Sequence, residues 1–427
     1  MKNSFNSLIK PLKILYILSQ KPGNTGSGIY IKYITEEALK YNVDLRIIVG
    51  ITDEEDLAPL SHIKRENIYP VFFKKDIPFI IPGMSDVMPY PSIKFSEFTD
   101  EMYQQYCNGF EKIFKKVSKQ WLPDIIHSNH LWIVSALAKK YFNNIPVMVS
   151  CHGTSLRQRF LAPQIAKRIV NDLKNIDIIL ALTDKQKNEI INWLGMENSK
   201  IKVVGSGYAH DIFCKSDNNK FHDKEFFKIA YAGKISFAKG VPYLIDAIKN
   251  IDNDLQGKVK LYLAGDYNSA EGERIRNRII SEKNENIIFL GKLEHEELAK
   301  LFAKSHLFIL PSFFEGLPLV IMESLACGCV AIVSELPDIT CWIDKNLLDN
   351  EIIRFIPLPK MESVDKPCDN DAKDFTKNIK ESISYYARKF FKNDFPDVTK
   401  FNKFIKEHSF ESLFKKIYNI YLQYYIG

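Results

Sequence analysis

Short apolar runs alternate with amphipathic segments along the first half of the chain. Residues 13–18 and 45–49 are apolar runs of the kind that form buried strands, and residues 29–41 between them have the spacing of an amphipathic helix. Further strand-like segments follow at residues 124–127, 147–150, 178–181 and 201–204, with helical stretches between them. Strand, helix and strand in this order is typical of a parallel sheet, so the pattern predicts a doubly wound α/β domain.

A polar stretch from Gly205 to Asp223 interrupts this pattern, which then begins again. The second set of apolar runs lies at residues 228–232, 259–263, 287–290, 307–310 and 330–333. We therefore predict two Rossmann-like domains, at residues 1–206 and 227–400, joined by a linker at residues 207–226. Residues 401–427 are interpreted as a C-terminal helix that could pack back on the first domain. Sheets of this type bind ligands at the carboxyl ends of their strands, so a cleft between the domains is the expected ligand site.

The composition is that of a folded protein. Of the 427 residues, 46% are hydrophobic and 26% are charged. The seven cysteines are irregularly spaced, which favours reduced thiols in a reducing cytosol. Because no apolar run reaches the roughly eighteen residues of a membrane span, and because the first residues lack the apolar core of a secretion signal, we expect a cytoplasmic protein.

The net charge of +6 is unevenly distributed, with the positive excess in the first half of the chain. A basic first half could attract an anionic acceptor or the inner face of a membrane. Scattered solvated lysines explain the excess equally well. We expect no nucleic-acid partner.

Two glutamates eight residues apart follow the apolar run 307–310. Glu315 lies in a loop, and a helix that begins near Leu317 would carry Glu323 two turns further on. Free backbone N–H groups at such a helix start, together with a nearby acid, suit a polyol phosphate. This spacing is the most informative feature of the sequence.

A lysine-containing loop follows the first predicted strand of the second domain. Lys234 and Lys239 lie between Gly233 and Gly240, so two ammonium groups could contact a diphosphate where the backbone allows close approach. The Walker pattern is absent because no Gly-Lys-Ser/Thr closes the loop. A solvated turn is the alternative.

Two features of the first domain lie at predicted strand ends. The loop 23–28 could bring a phosphate near backbone N–H groups, but position 31 is isoleucine, so the dinucleotide fingerprint is incomplete and a tight turn is as good an interpretation. His152 follows the run 147–150 and could donate to a substrate hydroxyl or carbonyl. A structural histidine is the alternative.

No metal site is predicted. His127 and His130 lack a carboxylate or cysteine partner at metal spacing. The triplets Asp252-Asn253-Asp254 and Asp369-Asn370-Asp371 match the acidic triplet of many metal-dependent sugar transferases, but both lie in polar stretches and are interpreted as solvated turns. We expect no metal and no cofactor.

Taken together, these motifs resemble the GT-B glycosyltransferases of family four, the large retaining, nucleotide-sugar-dependent group also called glycosyl transferases group 1. The resemblance is carried by Gly233-Lys234 with Lys239-Gly240, by residues 286–291, and by Pro311-Ser312 with Glu315-x7-Glu323. It is strongest over residues 227–337. It implies GT-B architecture, with an acceptor-binding domain at 1–206 and a nucleotide-sugar-binding domain at 227–400 that face each other across a cleft.

The resemblance also implies roles for single residues. Lys234 and Lys239 would hold the donor diphosphate, with Lys234 in place of the more usual arginine. Glu315 would bind hydroxyls of the donor sugar, Glu323 those of the ribose, and His152 would reach the sugar from the first domain. Glu315, Lys239 and His152 are therefore the candidate catalytic residues. The implied donor-binding set is Gly28, Gly233, Lys234, Lys239, Gly291, Lys292, Glu315, Gly316, Leu317, Leu319, Val320 and Glu323.

The function expected from this resemblance is transfer of a sugar from a nucleotide-sugar donor, most simply a UDP-sugar, with retention of configuration. The acceptor is an unidentified glycan, lipid-linked or small molecule, and the setting is the synthesis of cell-surface glycans or glycoconjugates. One alternative is a catalytically silent module that binds a nucleotide sugar or glycan. Another is an NAD-dependent oxidoreductase, which would give Glu315 no role.

Overall fold

The structure, a computed structural model, describes residues 10–23, 25–85, 88–214, 218–221, 224–267, 269–282, 284–362 and 367–425. It contains two compact units. The first unit is formed by Met1–Gly207 with Phe410–Gly427, and the second by Tyr208–Ser409. The segment predicted as a linker therefore belongs to the second unit from Tyr208 onward, and the tail joins the first unit from Phe410 rather than from residue 401.

The first unit is built on a seven-stranded sheet with the strand order β3-β2-β1-β6-β7-β8-β9, in which all neighbours pair in parallel. Its strands are β1 Leu12–Leu18, β2 Val43–Ile51, β3 Ile68–Phe72, β6 Ile125–Asn129, β7 Val147–Ser150, β8 Ile178–Ala181 and β9 Ile201–Val203, and a small separate pair is formed by β4 Pro82–Gly83 and β5 Ile93–Lys94. Central strands such as β7 and β8 are buried on both faces, which explains their apolar runs.

Helices connect the strands of the first unit: α1 Gly26–Ala38, α2 Asp100–Gln120, α3 Ile133–Tyr141, α4 Gly153–Leu161, α5 Pro163–Leu173, α6 Asp184–Leu194 and, from the end of the chain, α15 Phe410–Tyr424. Threonine side chains cap several of these helices. Thr25, Thr99 and Thr183 accept hydrogen bonds from backbone N–H groups at the starts of α1, α2 and α6.

The C-terminal helix α15 is fixed in the first unit by a buried polar network. Tyr421 hydrogen-bonds with His127 Nδ1, and its hydroxyl lies 3.0 Å from that of Tyr16. The other His127 nitrogen lies 2.8 Å from Ser150 Oγ, and Ser150 Oγ lies 2.8 Å from the Tyr30 hydroxyl. Burial lowers the pKa of His127 to about 3, so the imidazole in this network is neutral.

The second unit is built on a six-stranded parallel sheet with the order β12-β11-β10-β13-β14-β15. Its strands are β10 Phe227–Ala232, β11 Val259–Ala264, β12 Ile287–Gly291, β13 Leu307–Leu310, β14 Val330–Ser334 and β15 Ile353–Ile356. Its helices are α7 Val241–Lys249, α8 Ala270–Ser281, α9 His295–Lys304, α10 Val320–Ala326, α11 Pro337–Thr340, α12 Lys345–Asp349, α13 Asp369–Phe391 and α14 Asn402–Lys406. Short 3₁₀ turns lie at Glu54–Leu60, Arg65–Asn67, Phe95–Glu97, Asn198–Lys200, Asn218–Phe221, Asn253–Leu255 and Val398–Phe401.

The first acidic triplet lies at a largely exposed 3₁₀ turn, as predicted, but its carboxylates are ion-paired. Asp252 contacts Lys380 at 3.0 Å and Arg388 at 2.7 Å, and Asp254 contacts Arg388 at 2.9 Å. These ion pairs hold α13 against the 3₁₀ turn Asn253–Leu255, and they lower the pKa of Asp252 through the hydrogen bonds from Lys380 and Arg388. The second triplet begins helix α13. The sequence alone could not show these ion pairs, because the cationic partners lie more than a hundred residues away. The interpretation as a turn was wrong only for the second triplet.

Part of the predicted linker is anchored in the second unit. The ammonium group of the buried Lys220 donates to the carbonyl oxygens of Ser305 and Cys327, over 2.7 and 3.0 Å. Tyr208 and Phe213 are buried as well. Residues 215–217 and 222–223 of this segment lie outside the described residues. None of the helices in the described part of the chain is both long enough and apolar enough to cross a lipid bilayer.

Candidate functional site

The two loops that carry the predicted donor-binding residues lie at one edge of the second sheet. Strands β10 and β13 are neighbours in the sheet. After β10 the chain forms β11 and β12 on one side of this pair, and after β13 it forms β14 and β15 on the other side. The loops that follow these strands therefore meet at the topological switch point of the sheet, where open α/β folds bind ligands. A backbone hydrogen bond of 2.9 Å from Phe313 N–H to the Ala238 carbonyl joins them.

Glycine allows the close approach of these loops. Gly240 has φ +68°, and a Cβ atom there would lie 2.0 Å from the Pro311 carbonyl oxygen. A Cβ atom at Gly265 would lie 1.8 Å from the carbonyl oxygen of Gly233. Any side chain at these two positions would force the lysine-containing loop away from its neighbours.

Lys239 and Glu315 form an ion pair at this edge. Lys239 Nζ lies 2.8 Å from Glu315 Oε1 and also donates to the Phe314 carbonyl over 3.2 Å. The side chains are 25% and 14% exposed, so solvent screens the pair less than it screens a surface salt bridge. The structure thus brings together a cation and an acid that are 76 residues apart in sequence.

Ser312 is a further member of the site. Its hydroxyl donates to Glu315 Oε1 over 2.7 Å, and the residue is fully buried. One oxygen of Glu315 thus accepts from both Lys239 and Ser312, which fixes the orientation of the carboxylate. The sequence pattern Pro-Ser-x-x-Glu contains this contact, but only the loop geometry reveals it.

Three more of the predicted donor-binding residues lie at this edge of the second sheet without forming a side-chain ion pair across it: Lys234, Gly291 and Lys292. Lys234 is exposed, and its carbonyl accepts a 2.8 Å hydrogen bond from the Tyr231 hydroxyl. Gly291 has φ +73°, and its carbonyl accepts from Gly265 N–H over 2.8 Å. The ammonium group of Lys292 extends into solvent, 3.9 Å from Glu294.

The loop between the two glutamates is longer than the sequence predicts. Helix α10 begins at Val320 rather than near Leu317, so Glu323 lies in its first turn and not two turns along it. Gly316 is exposed, whereas Leu317 and Leu319 are half-buried. The prediction placed the helix start too early because Pro318 suits a first helical turn as well as it suits a loop.

Glu323 has an unusual protonation equilibrium. Its side chain is half-buried, and desolvation raises the pKa of its carboxyl group to about 8. The carboxyl group is therefore largely protonated at neutral pH and can both donate and accept a hydrogen bond.

In the first unit, His152 lies directly after β7 at the start of α4. Its Nε2 donates to Asn129 Oδ1 over 3.3 Å, and its ring packs edge to face on Tyr30 at 5.0 Å. Burial lowers the pKa of His152 to about 4, so the imidazole is neutral at physiological pH. A neutral imidazole can donate or accept a hydrogen bond, but it supplies no fixed positive charge.

Gly28 does not lie in an open loop. It belongs to helix α1, and its N–H donates to the capping hydroxyl of Thr25 over 3.1 Å. A Cβ atom there would lie 2.5 Å from the backbone nitrogen of Gly23. The requirement for glycine at this position is explained by packing within the loop.

Among the described residues, no group of three or more histidine, cysteine, aspartate or glutamate side chains is arranged to hold a metal ion.

Comparison with known proteins identifies two family regions. Residues 214–343 match the glycosyl transferases group 1 family, and residues 101–211 match glycosyltransferase family 4. An uncharacterized glycosyltransferase of Methanocaldococcus jannaschii is 26% identical over 231 residues, covering 52% of this chain and 59% of the relative. The chain spans between half and two thirds of the length of the curated relatives that it matches first.

Solved structures show the same fold. Sucrose-phosphate synthase from Thermosynechococcus elongatus has a TM-score of 0.67 at 16% identity, with 96% of this chain and 98% of that chain covered. The HepE protein of Anabaena, in complex with UDP and glucose, has a TM-score of 0.57 at 16% identity, with 93% and 98% covered. These likenesses and the two parallel sheets establish the GT-B fold.

Proposed function

We propose that the chain is a GT-B glycosyltransferase that moves a sugar from a nucleotide-sugar donor to an acceptor with retention of configuration, a proposal supported by the two glycosyltransferase family matches and the shared fold. The observation that carries this proposal is the Lys239–Glu315 pair at the switch point of the second sheet. Lys239 would contact the diphosphate of a nucleotide sugar, and Glu315 would contact the hydroxyls of its sugar. The two charged groups lie 2.8 Å apart, so one donor could reach both.

The reaction makes specific demands on such a site. As the bond to the nucleoside diphosphate breaks, positive charge develops at the anomeric carbon and negative charge on the departing phosphate. A fixed ammonium group at the phosphate stabilises the transition state more than the ground state, because the leaving group gains charge as it departs. Lys239 would serve this role, and the exposed Lys234 would add a second charge.

The roles of the remaining residues follow from their chemistry. Glu315 would accept from sugar hydroxyls beside the reacting carbon, and Ser312 holds its carboxylate in place. Glu323 would bind the ribose hydroxyls, and Gly316, Leu317, Leu319 and Val320 would line the donor. His152, as a neutral imidazole, would hydrogen-bond the sugar without acting as a charged group.

Retention requires no strong protein base in this scheme. The acceptor hydroxyl would attack from the face that the leaving group departs, and its proton would pass to the departing phosphate. The residues named above bind and orient, and the phosphate itself takes the proton.

A UDP-sugar is the proposed donor, and no metal or cofactor is proposed. The structure of HepE with UDP and glucose supports the choice of donor, because HepE and this chain share a fold. The proposed acceptor is a glycan, lipid-linked or small molecule used in cell-surface glycan synthesis. The proposed location is the cytoplasm, with peripheral contact at the inner membrane face through the basic first unit.

The test is to incubate the protein with a panel of UDP-, GDP- and ADP-sugars and to measure release of the nucleoside diphosphate, with the anomeric configuration of the product read by NMR. We expect turnover with a UDP-sugar and a retained configuration. Binding of a nucleotide sugar with neither transfer nor slow hydrolysis would favour the silent binding module instead.

A further inference from the structure

Two large apolar side chains are exposed where helices α2 and α3 end. Leu122 lies just past the end of α2 and is 58% exposed, and Tyr141 ends α3 and is 38% exposed. The two helices pack against each other, and the Tyr141 hydroxyl lies 3.4 Å from Ser118 Oγ of α2. The exposed apolar side chains therefore lie on neighbouring helix ends of the first unit.

Lysines accompany these apolar side chains. Lys115 and Lys119 are one turn apart on α2, and Lys140 precedes Tyr141 on α3. All three lysines are exposed, and none forms a salt bridge with a residue that the structure describes. Residues 111–120 contain four lysines and one acid. We define the α2–α3 surface as Lys115, Lys119, Leu122, Lys140 and Tyr141.

Acids near this surface are bonded to other groups. Asp177 contacts Lys139 at 2.8 Å, and Asp44 accepts from the Trp121 indole over 2.7 Å. Asp124 accepts from a backbone N–H group over 2.8 Å. These carboxylates do not neutralise the lysines of the α2–α3 surface, which therefore carries a net positive charge.

The combination of charge and exposed apolar area indicates the kind of partner. Solvated lysines alone need no partner, but here unpaired ammonium groups stand beside leucine and tyrosine. Leucine gains free energy when it leaves water, tyrosine favours the boundary between a bilayer and water, and lysine attracts acidic headgroups. Long lysine stems also cover apolar surface while the ammonium group stays in water.

Other partners fit the α2–α3 surface less well. A symmetric contact with a second copy of the chain would bring the same lysines face to face. Lysine acts as a point charge without a fixed binding geometry, which suits the fluid headgroups of a bilayer better than the fixed carboxylates of a protein.

The α2–α3 surface is separated from the residues proposed to bind sugar in the first unit. Helices α2 and α3 end before β6 and β7 begin, so this surface lies near the amino edge of the sheet. His152 follows β7 and lies at the carboxyl edge. Contact through the α2–α3 surface therefore leaves the carboxyl edge open.

We propose that the α2–α3 surface docks on an anionic lipid bilayer, with Leu122 and Tyr141 in the headgroup region and the three lysines on acidic headgroups. This inference rests on the peripheral membrane contact of the proposed function and names the surface that makes it. The contact needs neither a donor nor an acceptor.

The test is co-sedimentation of the full chain with two kinds of vesicle. One kind is phosphatidylcholine alone, and the other contains equal parts of phosphatidylcholine and phosphatidylglycerol. Leu122→Ser and Lys119→Gln are compared with two controls in the second unit. Ile280→Ser changes an apolar side chain that is 54% exposed, and Lys304→Gln changes an exposed lysine. Circular dichroism checks that each variant is folded.

We expect the wild type to bind the mixed vesicles, to bind phosphatidylcholine alone much more weakly, and to be released by high salt. Leu122→Ser should lower the partition coefficient about tenfold and Lys119→Gln about fivefold, because one buried apolar group and one headgroup contact are lost. Each control should change it by less than about twofold.

Equal binding to both vesicles, no binding to either, or unchanged binding in Leu122→Ser would overturn the inference. A wild-type dimer that Leu122→Ser converts to a monomer in sedimentation velocity would also overturn it, because a second copy would then cover the surface. Release of UDP from the donor is measured separately. Turnover without vesicle binding contradicts this inference alone, whereas vesicle binding without turnover contradicts the proposed sugar transfer.

Discussion

Glu315 and the pyrophosphate of a donor compete for the same ammonium group. Lys239 Nζ lies 2.8 Å from Glu315 Oε1, so a phosphate that approaches Lys239 must displace this carboxylate or share the lysine with it. The role of Glu315 is therefore double: it is proposed to bind the sugar, and it also weakens the hold of Lys239 on a nucleoside diphosphate.

For Glu315→Gln we expect tighter binding of UDP, with Kd lowered about fivefold, because the amide releases Lys239 and a partly buried pair of this kind is worth on the order of 1 kcal/mol. Transfer should be slower, because the sugar loses its acceptor carboxylate. Isothermal titration with UDP measures the effect, and Glu282→Gln, which loses a comparable contact with Lys249 at 2.9 Å, is the control. Unchanged or weaker UDP binding in Glu315→Gln would show that the two groups do not compete.

The carboxyl group of Glu323 makes stability depend on pH. Its pKa of about 8 in the folded protein lies above the ordinary value of 4.5. As the pH rises, the carboxyl group of Glu323 therefore loses its proton at a lower pH in the unfolded chain than in the folded protein. The stability that the protonated form contributes is complete below pH 4.5 and is lost progressively between pH 4.5 and 8.

Glu323→Gln should therefore exceed the wild type in free energy of unfolding by an amount that grows with pH. We expect the difference to increase by about 2 kcal/mol between pH 5 and pH 8, roughly half of what the full pKa shift gives, since solvent reaches part of the side chain. Urea unfolding at pH 5, 6.5 and 8 measures it. A difference that is constant across these values would mean that Glu323 is ionised in the folded protein.

The loop from Gly233 to Gly240 is shaped by its glycines. Gly240 has a positive φ, and a Cβ atom at this position would lie 2.0 Å from the Pro311 carbonyl oxygen. Gly257 has a similar φ of +74°, but a Cβ atom there would meet no other atom within 4 Å. Gly257→Ala thus reports the cost of backbone strain alone, about 1 kcal/mol, and Gly240→Ala adds a clash with backbone atoms.

We expect Gly240→Ala to be less stable than Gly257→Ala by about 2 kcal/mol and to lose most donor turnover, because Lys239 is displaced along with the loop. Urea denaturation and nucleoside diphosphate release measure the two effects. Equal stability and full turnover in both variants would show that the loop does not need its close contact with Pro311.

The central strands and their parallel, doubly wound arrangement could be predicted from the sequence, because strands buried on both faces give apolar runs and alternate with helical stretches. Two edge strands were missed for the opposite reason. Strand β3 contains Pro70, which argues against a strand, and β15 buries only its ends. Helix bounds were less accurate, as the late start of α10 shows.

The sequence predicts those parts of the candidate site whose residues lie within one short motif, and it does not predict contacts between motifs. The two loops and both glutamates were recognised from their motifs, but the Lys239–Glu315 and Asp252–Arg388 contacts join residues far apart in sequence. Packing on its own loop is enough to explain the glycine at position 28, and the sequence does not distinguish such packing from contact with a ligand, so the donor-binding role of Gly28 is still a prediction. The roles of the site residues remain predictions.

The first unit is assembled from both ends of the chain. Helix α15 contributes Tyr421, whose hydroxyl group is bonded to His127 and lies 3.0 Å from the Tyr16 hydroxyl in the core of this unit. The stability of the first unit therefore depends on residues that follow the entire second unit in sequence.

Tyr421→Phe should lower the free energy of unfolding by about 2 kcal/mol, because it leaves buried polar groups of His127 and Tyr16 unpaired. Tyr424→Phe, in the same helix but half-buried, should change it by less than about 0.5 kcal/mol. Urea unfolding followed by circular dichroism compares the two. Equal stabilities would mean that the buried network does not hold α15 in place.

The proposed sugar transfer depends most on a positive charge beside the leaving group, and a single kinetic comparison tests this dependence. Lys239→Met keeps the length of the side chain and removes its charge, and Lys304→Met does the same for an exposed lysine in the same unit. The quantity to measure is kcat/KM for nucleoside diphosphate release from the UDP-sugar that the wild type uses. We predict a loss of about a hundredfold in Lys239→Met and a change of less than about twofold in Lys304→Met. Wild-type turnover in Lys239→Met would contradict the claim that this lysine stabilises the departing pyrophosphate.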